Sequence, residues 1–302
     1  MNTGNRDKGF IDPEQLSAVE NMELRARYIV EGLMAGMHRS PYHGFSTEFL
    51  EYRDYREEEP ARLIDWKKYA KTDKPYVKVY EDETNLYALI LLDKSASMGF
   101  CSEQGSMSKY KYGATLAAAI AWIFTKQRDS CSLMLFDDKI RKHVSYGSTM
   151  RHYKNILSAI QDTEASSGTG GGDIINTAAA SLKRRGLCVL ISDLFDDIKE
   201  LEEALKHLFF RRQEIIVIQV LDPFERDFSE EGDFLVRDSE TGEEIKISGE
   251  TASGYQKRGL KGHNDEVNRI CLEMGIEYES VYTSEPFEKS LMRVFEKRRF
   301  LF

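Results

Sequence analysis

From residue 85 onward, short apolar runs alternate with longer segments of helical periodicity, and this alternation restricts the fold more than any other feature of the chain. The runs NLYALILL (85–92), SCSLMLF (130–136), GLCVLIS (186–192), EIIVIQV (214–220) and IEYESVY (276–282) read as strands. Several are apolar along nearly their whole length rather than at every second position, as in strands covered on both faces. Helices are predicted between and after them at about 108–127, 151–162, 173–184, 198–210, 251–274 and 286–299. Strand and helix in turn build an α/β fold, a mostly parallel sheet flanked by helices. A hairpin, DFLVRDSETGEEIKIS, is inserted at 233–248, with its turn at Thr241-Gly242.

The chain before residue 85 has a different character. Leu16, Val19, Leu24, Tyr28 and Leu33 recur at near-helical spacing and predict a helix over 13–37. The alternating stretches EFLEYRDY and YVKVYE predict a small antiparallel sheet, and PARLIDWKKYAKT between them a short helix begun by Pro60, with Trp66 in a core. Residues 1–84 are thus expected to form an appendage of one helix and a small β unit, and residues 85–302 the α/β domain.

Several function classes are argued against by charge and pattern. A net charge of -9 disfavours generic binding to a phosphate backbone, which needs a basic surface, so no nucleic-acid partner is expected. The longest apolar runs, such as LAAAIAWIF, are far shorter than the ~20 residues of a membrane span. Cys101, Cys131, Cys188 and Cys271 are scattered without metal-finger spacing, and MNTGNRDKGFIDPEQ does not read as a secretory signal. A cytoplasmic location is expected.

In open parallel sheets, ligands bind beyond the carboxyl ends of the strands. The first strand ends in Asp93, followed by Ser95 and Ser97; the third ends in LISD, with Asp193 at its tip and Asp196 and Asp197 behind. A third polar loop, SSGTGGGD, carries Thr169 and Asp173 ahead of a helix. Carboxylates and hydroxyls without histidine or thiolate suit a hard cation, Mg2+ or Mn2+. Serines add no charge, so the ion keeps an open position that a carboxylate from another protein can fill. The plainer reading of Asp197 and Asp173 is helix capping.

Asp93-Lys-Ser95-Ala-Ser97 resembles the D-x-S-x-S motif of the metal-ion-dependent adhesion site in von Willebrand factor A-type domains, and Asp193 resembles the acidic ligand of that site's last loop. Upstream, Glu51, Arg53, Tyr55, Arg62, Ile64, Asp65 and Trp66 resemble the segment that marks a bacterial family, domain-of-unknown-function family fifty-eight. The resemblance runs over roughly residues 40–220 and implies a von Willebrand factor A-like domain. It also implies a metal site of Asp93, Ser95, Ser97, Thr169 and Asp193 with Asp173 in support. The serines would bind the ion directly and the aspartates largely through water. The resemblance further implies work with a MoxR-type AAA+ ATPase in the assembly or remodelling of other proteins. One departure stands out: where the family reads G-G-T-D, this chain has Gly172 in place of the threonine. Either Thr169 substitutes through a longer loop, or water takes the position, or the site is weak or vacant.

The rival reading is an enzyme. A strand-terminal aspartate followed by small residues is also found in haloacid-dehalogenase-type phosphohydrolases, where Asp93 would attack phosphorus beside Mg2+. That chemistry wants a second carboxylate two residues on, and Ser95 stands there instead. The chain is therefore read as a non-enzymatic interaction module.

Overall fold

The structure, a computed structural model, describes residues 13, 16, 21–37, 49–55, 64–80, 86–163, 174–175, 177, 185–195, 197–226, 233–237 and 244–296. It divides into two units, Met1–Arg39 with Leu86–Leu301, and Ser40–Asn85 with Phe302.

In the larger unit, six strands form one sheet: β3 (Tyr87–Asp93), β4 (Ser130–Phe136), β5 (Ile140–Gly147), β6 (Leu187–Ser192), β7 (Glu214–Leu221) and β10 (Glu277–Tyr282). The smaller unit supplies β1 (Phe49–Asp54) and β2 (Tyr76–Tyr80), and an inserted hairpin supplies β8 (Asp233–Arg237) and β9 (Glu244–Ser248). The order in the main sheet is β10-β7-β6-β3-β4-β5. All neighbours are parallel except the edge pair β4 and β5. The expected mostly parallel sheet is present, and the five anticipated strands match to within two residues at each end. β5 is an addition. It exposes Arg141, Lys142 and His143 along one edge, so it lacks the continuous apolar run that marks its neighbours.

Side chains alternate between the two faces of the sheet. On one face Leu89, Leu91, Met134, Cys188, Leu190 and Val217 pack with α5 (Ile198–Phe210) and α7 (Gly249–Glu273). On the other lies α3 (Lys109–Gln127), an alanine-rich helix buried almost throughout its length. Gly113 lets it sit low: a methyl group there would lie 3.1 Å from Ile191 and 3.3 Å from Leu92. Alongside α3 run α1 (Met22–Met37), α4 (Met150–Gln161) and α8 (Phe287–Glu296). α1 buries Ala26, Ile29 and Leu33, and its Arg25 donates to the Thr115 hydroxyl at 3.3 Å. This packing corrects the expected division at residue 84: α1 belongs to the larger unit, because its apolar stripe needs α3 to cover it.

In the smaller unit β1 and β2 pair antiparallel, as anticipated, and enclose α2 (Trp66–Thr72) in sequence. α2 begins at Trp66, where the Asp65 carboxylate accepts from the backbone of Lys67 and Lys68 and caps the helix; the anticipated start at Pro60 lies outside the described residues. Trp66 is 58% exposed and meets Tyr69 edge to face, so it is a surface residue and not the core residue expected.

The direction of the connections places the crevice. From β3 the chain moves by α3 to β4 and β5 on one side, then returns to β6 on the other. Successive connections diverge between β3 and β6, and in a parallel sheet the gap beyond their carboxyl ends is the natural binding position.

Candidate functional site

Asp93 is the last residue of β3 and Ser192 the last of β6, with Leu92 and Ile191 in register just before them. Asp93 is buried, and both its oxygens are engaged. Oδ1 accepts from the Ser95 backbone N–H at 2.7 Å, and Oδ2 accepts from the Ser192 hydroxyl at 2.6 Å. The first bond closes a short turn that a strand-end aspartate favours. It is followed by a single turn of 3-10 helix over Ser97–Gly99, pinned by fully buried Met98. This fold of the loop brings the Ser95 and Ser97 hydroxyls 3.0 Å apart, in partly exposed positions.

Across the crevice, Ser192 Oγ accepts from the Leu194 N–H at 3.0 Å, and Leu194 takes a left-handed backbone with φ of 59°. Such a conformation costs a non-glycine residue ~1 kcal/mol or more. It is held by the bond from Gln219 Nε2 to the Asp193 carbonyl at 2.9 Å and by His263 Nε2 on the Leu194 carbonyl at 2.6 Å. Asp193 is thereby fixed at the rim, buried next to Asp93. Burial, and then the charge of Asp193, push the Asp93 carboxyl up to about 7, against the opposing pull of its bonds from Ser192 and Ser95.

The residue that the sequence did not announce is Lys109. It stands at the first position of α3, where the helix dipole disfavours a cation, yet its side chain is wholly buried. Its Nζ lies 2.8 Å from Asp193 Oδ2 and 2.7 Å from Glu225 Oε1. Burial alone would lower its pKa, but Asp193 and Glu225 outweigh this and hold it above the ordinary lysine value. The phenyl ring of Phe195 faces the ammonium at 4.7 Å and that of Phe100 at 5.9 Å, and both rings also meet solvent. Glu225 sits on α6 (Pro223–Arg226), just after β7, and its other oxygen accepts from the Asp222 N–H at 2.7 Å. Asp222 in turn accepts from the Ser102 hydroxyl and, at 3.0 Å, from the Ser102 N–H, which ties the loop before α3 to the end of β7. Gly105 is required at that tie, since a methyl group there would fall 2.5 Å from Asp222 Oδ2. The signals were present but faint: a lysine in the first turn of a helix, and the acids of LDPFE after a strand.

Of the expected ligands, Asp93, Ser95, Ser97 and Asp193 come from neighbouring strand ends and share one site. Thr169, Gly172 and Asp173 lie outside the described residues, as does Asp196. Asp197 caps α5, accepting from the Lys199 and Glu200 N–H groups, as the plainer reading had it. Adjacent vertices of an Mg2+ octahedron with bonds of 2.0–2.1 Å are about 2.9 Å apart, which the two serine oxygens match. The donor set is all oxygen, and the residues fit a hard divalent ion. It is carried by few charges: among the described residues no group of three or more His, Cys, Asp or Glu side chains could hold a metal. The arrangement does not favour the phosphohydrolase reading. Asp93 is buried with both oxygens occupied, and a hydroxyl stands where the acid should be.

Comparison with known proteins adds the following. The family described as "Protein of unknown function DUF58" matches residues 51–261. An uncharacterized protein of Mycobacterium bovis and one of Mycobacterium tuberculosis are each 24% identical over 296 residues, covering 95% of this chain and 91% of theirs. Among solved structures, conserved hypothetical protein BatB of Bacteroides thetaiotaomicron matches with a TM-score of 0.48 and 16% identity, covering 70% of this chain and 98% of that one. The SpRpn10 VWA domain matches with a TM-score of 0.44 and 17% identity, covering 69% and 94%. The six-strand, mostly parallel sheet with its antiparallel edge pair, and D-x-S-x-S at the end of β3, agree with the mixed α/β fold that the resemblance to von Willebrand factor A-type domains implied. Among the described residues, no helix is long and apolar enough to cross a membrane.

Proposed function

The chain belongs to the DUF58 family, and on that premise we propose that it is a non-enzymatic, cytoplasmic protein-interaction module with a metal-ion-dependent adhesion-type site. Ser95 and Ser97 hold Mg2+ or Mn2+ directly; Asp93 and Asp193 supply the negative charge behind them, and Thr169, with Asp173 in support, completes the set from the third loop. When bound, the ion offers a coordination position to an acidic side chain of a protein partner. A MoxR-type AAA+ ATPase is the partner that family resemblance points to, and the pair would act in assembly or remodelling of other proteins.

The observation that carries this reading is the pair of serine hydroxyls 3.0 Å apart beside buried Asp93, at the crevice between β3 and β6. Phe100 and Phe195 support it, since exposed aromatic rings beside a charged centre are what a protein interface uses for anchoring. The test is affinity capture of a purified MoxR-type ATPase, with Mg2+ or with chelator, by the natural protein, Asp93→Ala and Ser95→Ala/Ser97→Ala. Capture that needs Mg2+ and is lost in both variants supports the proposal; capture indifferent to chelator and to Asp93→Ala overturns it.

A further inference from the structure

A lysine tip withdrawn from water is costly unless something is gained by its charge. Lys109 is held from both sides. Glu225 grips it from behind and is itself fixed by the Asp222 N–H, while Asp193 receives it in front. The carboxylate it receives is the one expected to share charge with a divalent ion. Two carboxylates, Asp193 and Glu225, hold the single ammonium, so the cluster keeps one negative charge in surplus that a divalent ion can draw on. Any such ion, however, meets a like charge already seated on Asp193, and in a buried site like-charge repulsion is large.

Resting on the reading of Asp93, Ser95 and Ser97 as a metal site, we infer that Lys109 is a built-in competitor for that site: a tethered monovalent cation that occupies Asp193 and weakens the site's hold on divalent ions. The lysine keeps the pocket folded without an ion, because it pairs with both Asp193 and Glu225. It also sets a low affinity, so that loading depends on the supply of ion or on the negative charge a docking partner adds. Glu225 gives the ammonium a second partner to keep while Asp193 is drawn on by the ion.

The test is Mn2+ titration, followed by calorimetry and by the loss of the free-ion paramagnetic signal, on the full chain and on Lys109→Met, Lys109→Met/Glu225→Gln and Asp93→Ala. The double variant removes one of the two carboxylates stranded by loss of the lysine, and it carries the test if the single variant does not fold. Both lysine variants are expected to bind Mn2+ roughly tenfold more tightly than the natural chain, or better. Asp93→Ala is expected to lose the binding. If the lysine variants bind no more tightly than the natural chain while Asp93→Ala abolishes binding, the competitor role is wrong and the metal site stands. If neither the natural chain nor the lysine variants bind, or Asp93→Ala leaves binding unchanged, the metal site itself is wrong and the competitor role goes with it.

Discussion

The Ser192 hydroxyl donates to Asp93 Oδ2 at 2.6 Å, and this single bond joins the ends of the two central strands at the point where the chain's connections diverge. The same oxygen of Ser192 accepts from the Leu194 N–H, so it also sets the backbone that presents Asp193. Ser192→Ala removes a donor from one buried group and an acceptor from another. A loss of about 1–3 kcal/mol in urea unfolding is expected, the cost of leaving buried polar groups unpaired. A change within error would mean that water replaces the hydroxyl.

Protonation of Asp93 gives the ion-free protein a pH signature. Its carboxyl titrates at about 7 in the folded chain, raised first by burial and then by Asp193, against an ordinary value near 3.9 when unfolded. Between those values the folded form holds a proton that the unfolded form releases. The stabilising contribution is thus complete below about pH 4 and falls away as the pH rises through about 7. In chelator, the melting temperature should drop between pH 5 and pH 8. Asp93→Asn, which keeps the size without the charge, should flatten that part of the profile.

Gly186 opens the turn into β6 at a point where there is no room for a side chain: a methyl group would lie 2.2 Å from the Tyr87 carbonyl oxygen. The clash is with backbone, so it can be relieved only by shifting a strand of the central pair. Gly186→Ala is expected to destabilise by about 1–3 kcal/mol, or more if the strand cannot move, read from the denaturant midpoint. An unaffected midpoint would show that β3 and β6 separate there without cost.

The thiols report on the sheet. Cys131 and Cys188 lie inside β4 and β6 and Cys271 on the buried face of α7, and burial pushes each up to about 12. Cys101, on the loop before α3, is exposed. A chromogenic disulfide reagent should therefore react promptly with one thiol in the folded chain and with all four after unfolding. Prompt reaction of Cys188 would place β6 at an open edge rather than at the centre.

The sheet was legible because its central strands are short and nearly all apolar, and because D-x-S-x-S and LISD mark two strand ends that a parallel sheet brings together. What escaped did so for physical reasons. β5 is an edge strand with a wet face, so Arg141, Lys142 and His143 disguise its alternation. α1 looked like part of an appendage because a helical stripe does not say which surface covers it. Asp65 as the cap of α2 was passed over, although its carboxylate satisfies two backbone N–H groups, because Pro60 offered a more familiar helix start in the sequence. Lys109 reads locally as an ordinary residue of a first helical turn. Its role follows only when Asp193, 84 residues on, and Glu225, 116 residues on, arrive at the same point.

The most direct measurement is anomalous diffraction from crystals of the full chain grown with Mn2+. The expected result is one strong peak within bonding distance, about 2.2 Å, of both the Ser95 and Ser97 hydroxyl oxygens, on the Asp93 side of the crevice between β3 and β6. Peaks confined to surface carboxylates, with Ser95 and Ser97 still bonded to each other, would contradict it.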